Sequence, residues 1–412
     1  MKIGLYMCGG EKPESGVPLG IGYLLTNTHT GAEMTYCRTR AELDAGDWDV
    51  IGLSAVASGL PEAVEIARAM PGVPKAIGGQ ATLWQGLDDL DLFEWIVEGE
   101  GETALGNLTQ LPNGRHKSHT RVNLDGLNFP ERGELYGGKV PMVTSRGCPW
   151  RCRFCSSSQY WGKPRYCSPE YFIAEAEDAT EKYPDARWLY IMDDLFTAER
   201  GRFDRIHDLW MSKGLNNRLG LWSFVRANTF DARQARQMVE MGYRAVRFGA
   251  ESGSDRVLEM LGKRATVEMN QRAIDTACEA GLRISCSYMH GVPGETEEER
   301  QATLAFIERN KGKALVEGYY RFVAFPRHAD VRRGQPAGDG YEGEVRDGKP
   351  LAEGRCYYVT AGPVGAAMSS ALPGTYQGVP ERREEARLPA ERAGDRRGAE
   401  AGRGRLGDLE RL

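Results

Sequence analysis

The sequence predicts an α/β chain made of two successive units of alternating strands and helices, followed by a segment of different character. Three observations carry this. Residues 1–111 alternate short apolar runs with helical patterns, as in a doubly wound α/β domain. From Val140 to about residue 326 the pattern reads strand then helix six times, which predicts a partial (β/α)6 barrel open on one side. Beyond residue 327 no sustained apolar periodicity remains, and Pro380–Leu412 contains no aromatic or β-branched residue. Such a stretch buries little, so residues 327–412 read as an irregular segment, disordered after 380.

In the first unit the expected strands are Lys2–Met7, Glu33–Cys37, Val50–Val56, Lys75–Ile77 and Trp95–Val97. Helices are expected around Leu19–Asn27, Pro61–Met70 and Glu102–Leu111. Ligands of such sheets bind beyond the carboxyl ends of the strands. Those ends carry Cys8-Gly9-Gly10, Ser54-Ala55, Gly78-Gly79-Gln80 and Gly99-Glu100-Gly101-Glu102, where glycine lets backbone approach a ligand. Residues 112–138, rich in Pro, Asn, Gly and charge, read as a linker. The barrel unit, 139–326, has expected strands at Val140–Ser145, Trp188–Met192, Leu219–Val225, Ala245–Ala250, Arg283–Met289 and Tyr319–Ala324. Helical stretches such as Pro169–Lys182 and Asp231–Met241 fall between them.

Composition bounds the function. A net charge of −5 provides no overall basic field, so nothing favours nucleic acid, and the basic residues of the tail are interleaved with acidic ones without an aromatic platform. Nine cysteines without framework spacing fit a reducing, cytoplasmic compartment. No stretch reaches the length of a membrane span, and the apolar run at the amino terminus reads as a strand, not a signal peptide.

The most specific feature is Thr144-Ser-Arg-Gly-Cys148-Pro-Trp-Arg-Cys152-Arg-Phe-Cys155, directly after the first barrel strand. Three thiolates on one tight loop suit three irons of a four-iron cluster and leave the fourth iron open. A structural zinc site needs a fourth ligand at a recognisable spacing; Cys167 lies twelve residues on, and His116 and His119 lack such spacing. Further along, strand ends carry Asp193-Asp194, Arg226, Gly249-Ala250-Glu251-Ser252-Gly253 and Gly291-Val292-Pro293-Gly294-Glu295-Thr296.

The Cys-x-x-x-Cys-x-x-Cys spacing with Phe154 before the last cysteine resembles the radical S-adenosylmethionine (SAM) enzymes. The Gly-x-Glu-Ser-Gly and Gly-x-Pro-Gly-Glu-Thr segments extend that resemblance. It implies that Cys148, Cys152 and Cys155 hold a 4Fe-4S cluster whose open iron chelates SAM. Phe154, Asp194, Arg226, Glu251, Ser252 and Gly294 are then the expected SAM contacts: carboxylates for the ammonium and ribose, Arg226 for the carboxylate. The first unit resembles the cobalamin-binding domain fused ahead of many such barrels. The matching segments are Val17–Leu24, Gly52-Leu53-Ser54, Ile77-Gly78-Gly79 and Gly99–Glu102. Leu19, Gly20, Ser54, Gly78, Gly79, Gly99 and Glu100 are the expected cobalamin contacts. The Asp-x-His-x-x-Gly cobalt-ligand signature is absent, and His29 lacks its spacing.

By this resemblance the chain is a cobalamin-dependent radical SAM enzyme. The expected reaction is methyl transfer to an unactivated carbon of a small molecule or peptide. One SAM methylates the corrinoid and a second supplies the 5′-deoxyadenosyl radical that activates the substrate. The family further implies an electron donor such as flavodoxin or ferredoxin. Radical cyclisation or rearrangement with the same cofactors is the alternative, and a non-catalytic iron–sulfur protein is the second.

Overall fold

The computed structural model describes residues 1–9, 16–28, 31–84, 87, 90–117 and 122–322. The irregular segment expected at 327–412, Gly10, His29, His119 and Cys356 lie outside the described residues.

The first sheet contains β1 (Lys2–Cys8), β2 (Glu33–Tyr36), β3 (Val50–Ala55), β4 (Lys75–Gly78), β5 (Trp95–Glu98) and β6 (Gly114–Lys117). All pairings are parallel, in the order β2-β1-β3-β4-β5-β6. The central strands are near-continuous apolar runs because both faces are covered. One core gathers Ile51, Leu53, Ile66 and Ile77, and a second gathers Ile3, Leu5, Ile21 and Val97. The chain leaves β1 on either side of its position in the row, so a switch point lies between β1 and β3. A crevice at the carboxyl ends is the geometric result.

β6 was not expected. Gly114-Arg115-His116-Lys117 has no apolar alternation and falls within the linker that composition predicts, yet it pairs with Trp95–Glu98 as an edge strand. Charged residues are what an edge strand tolerates, because one side of it meets water.

In the second half, β7 (Lys139–Met142) is followed by a two-residue hairpin of β8 (Ser145–Arg146) and β9 (Arg165–Tyr166). Then come β10 (Trp188–Ile191), β11 (Gly220–Trp222), β12 (Ala245–Glu251), β13 (Arg283–His290) and β14 (Ala314–Arg321). They form parallel sheets β7-β10-β11 and β12-β13-β14, joined by a parallel bridge between Phe224 and Arg247. The result is one row of six strands with β7 and β14 at its ends. Helices return between them, several started by capping side chains. Ser168, Asp231 and Thr266 each accept an amide hydrogen bond from the first turn, and Thr296 forms a full capping box with Glu299.

Two expected strands need correction. Val140–Ser145 is not one strand: pairing with β10 ends at Met142, and Ser145 turns into the hairpin. The last strand begins at Ala314, five residues before the expected Tyr319. Its register on β13, from Ile284–Ala314 to His290–Arg321, outweighs the aromatic signal of Tyr319-Tyr320. Among the described residues, no helix is long and apolar enough to cross a membrane.

Candidate active site

The cysteine loop leaves the β8 side of the hairpin at Gly147, whose φ of +93° favours glycine; a Cβ there would sit 3.0 Å from that of Trp161. Cys152 is buried, while Cys148 and Cys155 are partly exposed. Burial raises the Cys148 thiol and pushes Cys155 up to about 12, and in each case the neighbouring cysteines and Asp194 add to the rise. Cys148 and Cys155 are thus partly desolvated beside the buried Cys152, where thiolates need a positive partner. Iron supplies one, and Arg226 another: its Nη1 donates to Cys152 Sγ at 3.5 Å. Among the described residues no three His, Cys, Asp or Glu side chains are placed to hold a single metal ion. A four-iron cluster asks something different of its thiolates, each of which binds its own iron. Cys167 is engaged elsewhere, accepting from Arg202 Nη2 at 3.3 Å.

The expected SAM residues divide on inspection. Phe154 packs against Val257, Leu261 and Val292, with the Lys263 ammonium 5.5 Å from its ring centroid. Glu251 stands at a register shift of β12 with φ +64°, a left-handed backbone uncommon for a side-chain-bearing residue, and binds Lys263 Nζ at 2.6 Å. That strained, buried carboxylate is placed at the barrel mouth. Gly294, φ +84°, turns the loop after β13, and its carbonyl accepts from Arg256.

Three of these side chains are engaged by protein partners. Ser252 is fully buried, its hydroxyl shared with Thr303 Oγ1 at 3.0 Å and the Ser254 N–H at 3.1 Å, so it fastens the strand end to helix Glu297–Arg309. Asp194 accepts from Ser157 Oγ at 2.5 Å and from the Gly147 amide, so it holds the cysteine loop; burial raises its pKa against those bonds. Arg226 is turned to Cys152, to the Lys263 carbonyl and to the Trp150 ring, 4.2 Å away. The neighbouring Asp193 is wholly buried, accepting from the Thr144 amide at 2.6 Å and the Thr144 hydroxyl at 2.7 Å.

At the carboxyl ends of the first sheet lies a cavity of about 290 Å³. Leu19, Gly20, Ser54, Gly78, Gly79, Gly99 and Glu100, read from separate segments, all line it. Val143, Arg146, Tyr160 and Trp161 of the cysteine-loop side close it. A Cβ on Gly20 would meet nothing within 4 Å, so this wall is open; Gly79, at φ +86°, allows a close approach to Ala55.

The two halves are joined there by a buried ionic clamp that sequence reasoning missed. Arg146 donates to Glu100 at 2.6 Å and Glu102 at 2.5 Å, and its guanidinium lies 5.7 Å from the Tyr23 ring and 5.5 Å from the Trp161 ring. Arg165 adds a second bond to Glu100 at 2.7 Å, and the Val122 amide a third at 2.8 Å. Tyr160 Oη donates to the Gly99 carbonyl at 2.9 Å. Glu100 thus lines the cavity with its carboxylate engaged by the clamp. The acidic doublet Glu100-Gly101-Glu102 was the available signal, since two buried carboxylates require a basic partner.

Burial opposes ionisation of Glu100, but its bonds from Arg165, Val122 and Arg146 overcome that and hold its pKa below the ordinary 4.5. Its contribution to stability is therefore present above that value and is lost as pH falls through the lowered one. Asp193, Asp194 and Glu175, raised by burial, act in the opposite sense. The difference between the native chain and E100Q isolates the clamp. In urea unfolding the native advantage should be largest at neutral pH and shrink below about pH 4.

Residues 142–307 match the radical SAM superfamily. An uncharacterized methyltransferase of Pyrococcus horikoshii, PH0819, is 29% identical over 341 residues, spanning 72% of this chain and 74% of its own. The fold is also that of TsrM from Kitasatospora setae, a radical SAM methyltransferase solved with cobalamin and a 4Fe-4S cluster. That structure has a TM-score of 0.65 and 16% identity, over 81% of this chain and 74% of TsrM. The cobalamin-dependent radical SAM enzyme OxsB, solved with aqua-cobalamin, has a TM-score of 0.60 and 18% identity over 76% of this chain; the match spans 53%, about half, of OxsB. A radical SAM domain therefore spans residues 142–307, and the fold of the chain is shared with these two cobalamin-bound structures.

Proposed function

We propose that this chain is a cobalamin-dependent radical SAM methyltransferase acting on an unactivated carbon of a small molecule or peptide. Residues 1–111 are read as a doubly wound cobalamin-binding domain, 112–138 as a linker, and 139–326 as a partial (β/α)6 barrel. When bound, the cofactors together supply a 5′-deoxyadenosyl radical and a transferable methyl group. The chain's own part is to hold and orient them. Cys148, Cys152 and Cys155 hold the cluster; Asp194 and Gly147 fix the loop that carries them. Phe154, Glu251 and Gly294 form the side of the barrel mouth that receives SAM.

One observation carries the corrinoid assignment: seven residues read from four separate segments, three of them strand ends, line one cavity, and that cavity abuts the cysteine hairpin. The residues lining this cavity of about 290 Å³ would hold a corrinoid at the ends of the first sheet. No histidine lines it among the described residues, so cobalt would be held without an imidazole from them. All eight cysteines among the described residues are free thiols, in keeping with a reducing cytoplasm; one-electron reduction of the cluster calls for an external donor such as flavodoxin or ferredoxin.

The cavity has a clean test. Gly20 sits in the first turn of helix Leu19–Asn27 with open space at its Cβ, so Gly20→Phe should leave the unfolding free energy unchanged within about 0.5 kcal/mol. It should nevertheless abolish retention of hydroxocobalamin through gel filtration. Retention equal to the native chain's would remove the cavity from the account. For the reaction, incubation with methyl-labelled SAM and candidate substrates should give a product heavier by one labelled methyl group. A 5′-deoxyadenosine yield with an unmethylated, ring-closed or rearranged product would contradict methyl transfer.

A further inference from the structure

We propose that Arg226 is a positioning residue for the iron–sulfur cluster: it fixes the Cys152 sulfur by an N–H···S hydrogen bond and makes the cluster easier to reduce. This rests on the reading of the cysteine trio given above. A guanidinium at the end of a barrel strand is most simply read as a partner for the SAM carboxylate. The structure employs it otherwise. Nη1 donates to Cys152 Sγ at 3.5 Å, Nη2 donates to the Lys263 carbonyl, and the group lies 4.2 Å from the Trp150 ring centroid. Arg226 is 7% exposed, so this positive charge sits in a desolvated site.

The three contacts hold the fork from three directions, which is what a planar guanidinium does and a flexible ammonium does not. Trp150 lies between Cys148 and Cys152, so the same side chain touches both the loop and one of its sulfurs. Lys263, whose carbonyl receives Nη2, also binds Glu251 and faces Phe154. Arg226 therefore joins the cluster side of the mouth to the side assigned to SAM.

Reduction adds one electron to the cluster and no proton. A fixed positive charge and a hydrogen bond at a ligand sulfur both stabilise the more negative, reduced form, which raises the reduction potential. Nε is a buried donor without a protein partner, so a SAM carboxylate remains the rival occupant of this residue.

The test uses the full chain, anaerobically reconstituted with iron and sulfide, as native protein, R226Q and R226K. The reduced cluster is followed by electron paramagnetic resonance while dithionite sets the potential, in the absence of SAM. At the poise that half-reduces the native cluster, R226Q should show a reduced-to-oxidised ratio lower by about tenfold, or about 59 mV for a one-electron couple. R226K, which keeps the charge, should lie between them. SAM binding to the oxidised cluster should fall by less than threefold in R226K. Equal midpoints in all three, with SAM affinity lost in R226Q, would overturn the proposal and return Arg226 to the SAM carboxylate. If R226Q does not load iron, R226K decides. A changed spectral line shape and faster iron loss to a chelator support the proposal; native line shape and native retention overturn it. Failure of the native chain to form any reducible cluster would instead contradict the cysteine assignment, so the two failures are separable.

Discussion

Arg146→Met should destabilise the chain by about 3–5 kcal/mol, the usual result of removing one member of a buried ion pair. The side chain is of similar length and apolar, so the loss comes from what it leaves behind, not from a void. Glu100 retains Arg165 and the Val122 amide, but the Arg146 guanidinium is the partner that Glu102 has in the clamp. Glu102 is 8% exposed, and an unpaired carboxylate there must either ionise without compensation or take up a proton. Urea unfolding at neutral pH measures the effect. The double variant R146M/E102Q should recover part of the loss, because the two residues share one interaction and their effects do not add. Full additivity would mean that the two side chains lie together without energetic coupling. Because Arg146 also borders the cavity, R146M should weaken hydroxocobalamin retention even where the protein remains folded.

The second large effect is at the cysteines. Alanine at Cys148, Cys152 or Cys155 should take bound iron after anaerobic reconstitution from about four per chain to near zero, because three thiolates are the entire protein ligand set of such a cluster. Formation of 5′-deoxyadenosine should fall to background in each variant. Cys167→Ser is the control. Its thiol accepts from Arg202, and the variant should load iron as the native chain does. If C167S lost the cluster while one of the trio kept it, the ligand set would have to be redrawn.

Where a signal is local, the sequence was readable. The cysteine spacing, the apolar runs of β3 and β5 and the glycine-rich strand ends each fit within a few residues, and the structure gathers the strand-end segments around one cavity. Where the cause is a distant pairing, it was not. Gly114–Lys117 is a strand because Trp95–Glu98 offers it an edge, and nothing in those four residues announces it. Arg146 reads as filler inside a motif until Glu100 and Glu102, more than forty residues earlier, meet it. Ser252 and Arg226 carry the residue types that a ligand site needs, yet Thr303 claims one and Cys152 the other. Residue type at a strand end predicts where a polar group sits; only the fold decides which neighbour it serves.

The central claim is that the cysteine loop and the cavity beside it serve one cofactor pair. It is tested by reconstituting the chain anaerobically with iron, sulfide and hydroxocobalamin, reducing it with dithionite, adding SAM and measuring 5′-deoxyadenosine. Formation of 5′-deoxyadenosine by protein that retains its corrinoid spectrum is the expected result. A fully cluster-loaded protein that leaves SAM intact would contradict it.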